Sequence, residues 1–328
     1  MFCCHRISVP TIVTLLIAVI FTTPSSCSPD QPARGQSDRR RTRPLQWGVY
    51  QIFWNRGYEK RLQKEIAQFD SSPAYVMFYR DLDRPFPKVA ADAIHKVGAT
   101  PMVSLELWRW HDSGKPYLPA IIRGDYDDYL QTWARRARED GRRILLRFGF
   151  EFNGDWFTWS LDPDGYVAAW RRAHEMFARE RANNVEWVWS PNIVSCPDTS
   201  ENKMHLYYPG DSHVDWVSLD GYNFGDHHDQ WHQWQSFKEI FGKTLETFEA
   251  RYPSKPIILS EFGCAPGHGR QRATWIQQAY ETLQDFPQVE AVIWFNYDKR
   301  REKEPNWRID AVPGSLDAFN ETFARKGP

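Results

Sequence analysis

RRILLRFGFEFNGDW, residues 142–156, decides the reading of this chain. Arg143 to Phe150 is an apolar run of strand length, and a carboxylate, Glu151, stands directly at its end. Working outward, seven further runs have the same form: Gln46 to Ile52, Ala74 to Tyr79, Thr100 to Leu107, Val185 to Ser190, Val214 to Asp220, Pro256 to Glu261 and Val289 to Asn296. Between them lie segments with apolar residues at helical spacing, such as Asp127 to Asp140, Asp164 to Arg181, Phe237 to Tyr252 and Arg270 to Asp285. Eight alternations of strand and helix predict an α/β protein made of a single (β/α)8 barrel over residues 46–328. No linker splits the array and no second domain is left over.

Barrel sites are built where the strands end at their C-terminal side, because the following loops shape a mouth that the strands hold rigid. The fourth run ends at Glu151 and the seventh, Leu259-Ser260-Glu261-Phe262-Gly263, ends at Glu261. The third closes on Glu106-Leu107-Trp108, the sixth on Asp220-Gly221-Tyr222-Asn223, and the eighth on Trp294-Phe295-Asn296-Tyr297. Two carboxylates across a cleft are what cleavage of a glycosidic bond requires: one protonates the departing oxygen and the other attacks or stabilises the oxocarbenium-like carbon. Sugar rings have apolar faces, and several of the 16 Trp (Trp108, Trp110, Trp156, Trp159, Trp294) stand just past strand ends where they could stack on them.

The termini and composition narrow the class. His5 and Arg6 precede an apolar stretch from Ile12 to Phe21, too short to span a bilayer, so residues 1–28 are expected to be an export signal and the protein to act outside the cell or in the periplasm. Pro24-Ser25-Ser26-Cys27 loosely resembles a lipoprotein processing site, which would leave a lipid anchor at Cys27; an ordinary cleaved signal is the other reading. Residues 29–45, rich in Pro, Ser, Gln and Arg, are expected to form a disordered linker. Beyond residue 45 there are 35 basic and 40 acidic residues, the wrong balance for a nucleic-acid partner. Cys196 and Cys264 are the cysteines of the folded region, either paired or as buried thiols. His228 and His232 have i, i+4 spacing beside His227, but no carboxylate or Cys completes a set, so neither metal nor cofactor is expected. Glu106 is expected to pair with an arginine of a neighbouring strand such as Arg147.

Over roughly residues 46–325 the chain resembles glycoside hydrolase family 26, of the mannanase type. The marks are Gly48-Val49-Tyr50, Glu151 with Asn153-Gly154-Asp155-Trp156, and Trp187-Val188-Trp189-Ser190-Pro191-Asn192. They continue with Tyr207-Tyr208-Pro209-Gly210-Asp211, Asp220-Gly221-Tyr222-Asn223, Ser260-Glu261-Phe262-Gly263 and Trp294, in that order. The resemblance implies a metal-independent, monomeric hydrolase of a β-linked polysaccharide, β-1,4-mannan first. Glu151 would be its acid/base and Glu261 its nucleophile, with the two carboxyl groups about 5 to 5.5 Å apart. It further implies that Tyr222 hydrogen-bonds the nucleophile and Trp294 floors the subsite of the attacked sugar; Trp156, Asn153, Trp108 and Trp159 are the remaining candidates for substrate contact. One position departs from the pattern: the family usually carries His before the acid/base, where this chain has Phe150. A mixed-linkage glucanase, a xylanase, an exopolysaccharide hydrolase or a non-catalytic glycan-binding barrel therefore stay open beside mannan cleavage.

Overall fold

The computed structural model describes residues 43–52, 57–227 and 232–325. Its eight strands are β1 (Gln46–Tyr50), β2 (Tyr75–Arg80), β3 (Thr100–Leu105), β4 (Ile144–Phe148), β5 (Val185–Trp189), β6 (Trp216–Asn223), β7 (Ile257–Cys264) and β8 (Val289–Trp294). Each pairs in parallel with the next, and β8 pairs with β1 to close the barrel. The surrounding α-helices are α1 (Tyr58–Ile66), α2 (Lys88–Lys96), α3 (Leu118–Arg123), α4 (Asp127–Asp140), α5 (Pro163–Arg179), α6 (Lys243–Arg251), α7 (Gln271–Leu283) and α8 (Ser315–Thr322). The segment expected to be one helix from Phe237 to Tyr252 opens as a π-helical turn, Lys238–Gly242, and continues as α6.

Strand parity sorts the side chains. Val76, Val103, Leu146, Val217, Leu259 and Val292 join Ile94, Leu130, Trp170, Ile276 and Phe319 of the helices in one apolar layer. Met77, Met102, Leu145, Val188, Ile258 and Ile293 form a separate cluster that fills the barrel. Each such side chain contributes about 1.5–3 kcal/mol on burial, which makes the barrel a packed body rather than a pore. Toward the mouth the filling turns polar: Ser104, Arg147, Ser190, Ser218, Asp220 and Ser260 are all buried.

Two irregularities aim the strand ends. Leu219 pairs with Leu259 but Asp220 pairs with Glu261, so Ser260 is an extra residue in β7, a bulge. Parity resets there. The Ser260 hydroxyl donates to Asp220 Oδ1 at 2.7 Å inside the barrel, yet its neighbour Glu261 also faces inward, where three donors reach it. Phe262 then returns to the helical side against Trp275, Trp294 and Phe323. In β4 the strand stops at Phe148, two residues before the expected end, because Gly149 takes φ +56° and Glu151 φ +49°. A Cβ at Gly149 would lie 2.6 Å from Leu107 and 3.2 Å from Tyr166, so only glycine fits where this chain hooks into the mouth.

The expected export signal over 1–28, with Cys27, and most of the linker over 29–45 lie outside the described residues. Leu45, placed at the end of that linker, is buried in the outer core. Cys264 is a buried free thiol, so it does not bond Cys196. Among the described residues no helix is long and apolar enough to cross a membrane.

Candidate active site

The polar layer converges on Arg147, a fully buried guanidinium projecting inward from β4. Its Nε donates to Ser190 Oγ and its Nη1 to Ser104 Oγ, each at 3.0 Å. Nη1 also donates to Glu261 Oε1 at 2.5 Å, and Nη2 is paired with Asp220. Burial works against the charge, but Asp220 and Glu261 hold the guanidinium above its usual range. It is a fixed cation beneath the mouth.

Glu261 is 4% exposed and accepts two further hydrogen bonds, from Tyr79 Oη to Oε1 and from Tyr222 Oη to Oε2, both at 2.5 Å. Burial, and next the Glu261 charge, keep both phenols protonated well beyond their usual range, so both remain donors. Three donors thus converge on this one carboxyl.

Glu151 sits in a different environment. Its left-handed backbone costs about 1–2 kcal/mol in a non-glycine residue and is held by several contacts at once. The Glu151 N–H donates to Ser190 O at 2.8 Å, while Oε1 accepts from Asn192 Nδ2 at 2.7 Å and Oε2 from Trp156 Nε1 at 2.8 Å. Burial, reinforced by the charge of Glu261, raises its pKa to about 7 against the pull of Arg147, Asn192 and Trp156. The mouth thus holds one carboxyl gripped by three donors and another biased toward its acid form.

Of the residues expected to contact substrate, Tyr222 and Trp156 reach the two glutamates directly. Trp294 does not. It is fully buried on the helical side of β8, its Nε1 donating to Trp307 O and its ring packed on Phe262 and Phe319 beside Arg272. Strand parity turns the next residue, Phe295, inward instead, 5.7 Å from Tyr222 and 4.8 Å from Tyr50 between ring centres. Trp159 is likewise fully buried, bonded to Phe150 O and stacked on Phe157. Asn153 faces away from the mouth and braces the loop after β5, donating to Asn192 O and accepting from Asn192 N. Trp108 is half-buried against Phe157 and Trp159. Arg147 is committed to Asp220 and Glu261, so the expected Glu106–Arg147 pair is not formed; Glu106 accepts from Trp110 Nε1 at 2.5 Å. His228 lies outside the described residues, among which no group of three His, Cys, Asp or Glu could hold a metal.

A family model described as glycosyl hydrolase family 26 matches residues 113–252. Endoglucanase H of Acetivibrio thermocellus is 33% identical over 242 residues, 71% of this chain and 25% of that protein. The chain belongs to glycosyl hydrolase family 26. Mannan endo-1,4-β-mannosidase A and B of Caldalkalibacillus mannanilyticus is 34% identical to this family 26 chain over 113 residues, 31% of the chain and 21% of that protein. The chain therefore spans about a quarter of the length of these curated relatives. The solved structure of a family 26 β-mannanase from Bacteroides ovatus shares its fold, with a TM-score of 0.63 at 18% identity over 89% of this chain and 90% of that one.

In this family 26 chain Phe150 packs face-on over the Arg147 guanidinium, 4.1 Å from its ring centre, and against Tyr79 and Phe157. It shields the cation from water and offers no hydrogen bond of its own. Three residues that bond the glutamates were not singled out for this role from sequence: Arg147, Tyr79 and Asn192. Tyr79 closes the second run and Asn192 closes the Trp187-to-Asn192 block, so the strand-end rule could have found both; Arg147 lies inside a strand, where an arginine gives no such signal.

Proposed function

We propose that the chain is an exported, retaining endo-β-glycanase that hydrolyses β-1,4-mannan by double displacement at Glu151 and Glu261. The observation that carries this reading is the opposite treatment of two strand-end carboxyls, one held by Arg147, Tyr79 and Tyr222, the other raised by burial to a pKa of about 7. In the first step the Glu261 carboxylate attacks the anomeric carbon as Glu151 gives its proton to the departing glycosidic oxygen. In the second, Glu151, now a carboxylate, takes a proton from water, whose oxygen attacks the same carbon and releases Glu261. Membership of family 26, together with similarity to a mannan endo-1,4-β-mannosidase, supports mannan. A β-glucan substrate is the second reading, supported by similarity to an endoglucanase over 71% of the chain and by Phe150 at the mouth.

Reducing-sugar release from mannan, glucomannan, mixed-linkage glucan and xylan, with the Glu261→Ala protein as control, tests both. Silence on all four with glycan binding intact would instead favour a binding protein. Glu151→Ala is expected to lose about 10²–10⁴-fold in kcat/KM on polysaccharide while keeping kcat/KM on a dinitrophenyl glycoside, whose leaving group needs no proton, although kcat falls there because the second step loses its base. Equal losses on both substrates would remove Glu151 as the acid.

The pH profile follows with its sign. Glu151 must arrive protonated and titrates near 7, so kcat/KM on polysaccharide should fall about tenfold per pH unit above about pH 7. The dinitrophenyl glycoside should show no such alkaline limb. A limb common to both substrates would belong to another group.

A further inference from the structure

Glu106 is the first residue past β3, and its parity matches Ser104, whose hydroxyl is bonded to Arg147 inside the barrel. Its side chain therefore faces the mouth one layer above Ser104. The Glu106 N–H donates to Arg80 O at 2.7 Å, which fixes it beside the end of β2, next to Tyr79. Leu105 and Leu107 on either side are buried at 1% and 0% exposure, whereas Glu106 is half-buried. No ion pair to Glu106 occurs among the described residues, since the nearby Arg147 is taken by Asp220 and Glu261.

What holds Glu106 is aromatic. Trp110 Nε1 donates to its Oε2, and Trp110 is itself fixed, its N–H donating to Asp81 Oδ2 at 2.9 Å and its ring lying 4.1 Å from the Arg84 guanidinium. A carboxyl has about four acceptor positions. Trp110 fills one, which leaves acceptor capacity with no cation to satisfy it. Burial, partly offset by Trp110, raises its pKa to about 7, and the charges of Asp81 and then Glu261 add to the rise.

In the double displacement the attacked sugar sits over Glu261, beside the Tyr79 end of β2, where Glu106 is anchored. We propose that Glu106 is a specificity-determining residue that accepts a hydrogen bond from a hydroxyl of the sugar ring seated over Glu261, an inference that rests on the hydrolase reading above. The alternative is that Glu106 only supports Trp110.

The test uses the dinitrophenyl β-mannobioside or β-cellobioside, whichever the wild type turns over, and analogues lacking one hydroxyl on the ring next to the aryl group. Wild type is expected to lose about 30-fold in kcat/KM on one analogue, the scale of a hydrogen bond to a charged group. Glu106→Ala should lose about as much on the parent glycoside and little more on that analogue, because both changes delete the same contact. Glu106→Gln, which still accepts through its amide oxygen, should recover part of the loss on the parent alone. A uniform loss on parent and all analogues, or no loss, overturns the proposal in favour of support for Trp110. An active wild type with such additive effects removes Glu106 only. A wild type silent on both parent glycosides, and on the polysaccharides, removes the hydrolase reading and this inference together.

Discussion

The Glu261→Ala protein is expected to lose turnover on polysaccharide and dinitrophenyl glycosides alike, by about 10⁴-fold or more, while remaining folded. Removing the nucleophile removes the covalent step itself, and a better leaving group cannot replace it. Folding should survive because Arg147 keeps Asp220 as an ion-pair partner, along with its bonds to Ser190 and Ser104. Tyr79 and Tyr222 would lose their common acceptor, and water can enter the space vacated at the mouth. Azide sharpens the result. The anion would attack from the face that Glu261 leaves open, restoring turnover of the dinitrophenyl glycoside and giving a glycosyl azide of inverted anomeric configuration. Turnover by Glu261→Ala without azide, or an azide product of retained configuration, would take the nucleophile role away from this residue.

The largest effect on stability is expected at Arg147. Arg147→Met leaves the Asp220 and Glu261 carboxyls buried without their cation, a change that costs about 3–5 kcal/mol when one side of a buried pair is removed. For a domain of this size that is a fall in Tm of roughly 10 °C at neutral pH. The loss should shrink as pH falls, because the orphaned carboxyls can then take up protons and shed their charge. Arg147→Lys should recover only part of the loss: an ammonium is a single point charge, while the fork reaches two carboxylates and two serine hydroxyls at once. Thermal unfolding of the three proteins at two pH values measures this. An unchanged Tm for Arg147→Met would show that the carboxyls are already neutral or solvated in the folded state.

The barrel was legible because each strand is a bounded apolar run. All eight fall within three residues of their expected limits, and the misfits occur where neighbouring strands decide the boundary: β6 and β7 continue to Asn223 and Cys264 because they pair with each other above the bulge. Which face a residue takes was less legible. Trp294 and Phe295 are adjacent aromatics at one strand end, and only the register of β8 decides that Phe295 enters the barrel while Trp294 packs on the helices. Trp159 and Asn153 were assigned to the mouth on nearness in sequence, whereas their fixed contacts are to Phe150 O and to the loop after β5. Arg147 shows the limit most plainly. Its importance lies in Asp220 and Glu261, 73 and 114 residues away in the chain, and no local pattern encodes that meeting.

The bulge at Ser260 makes the site depend on how β7 is paired as well as on residue identity. Regular pairing of β7 with β6, with Ser260 set opposite Asp220 and Glu261 opposite Gly221, would preserve every carboxylate in the sequence. It would also restore strict alternation, so that Glu261 and Phe262 exchanged faces and a charged group was pushed into the apolar layer beneath α7. A designer who regularised the strand for stability would disarm the protein without touching either glutamate.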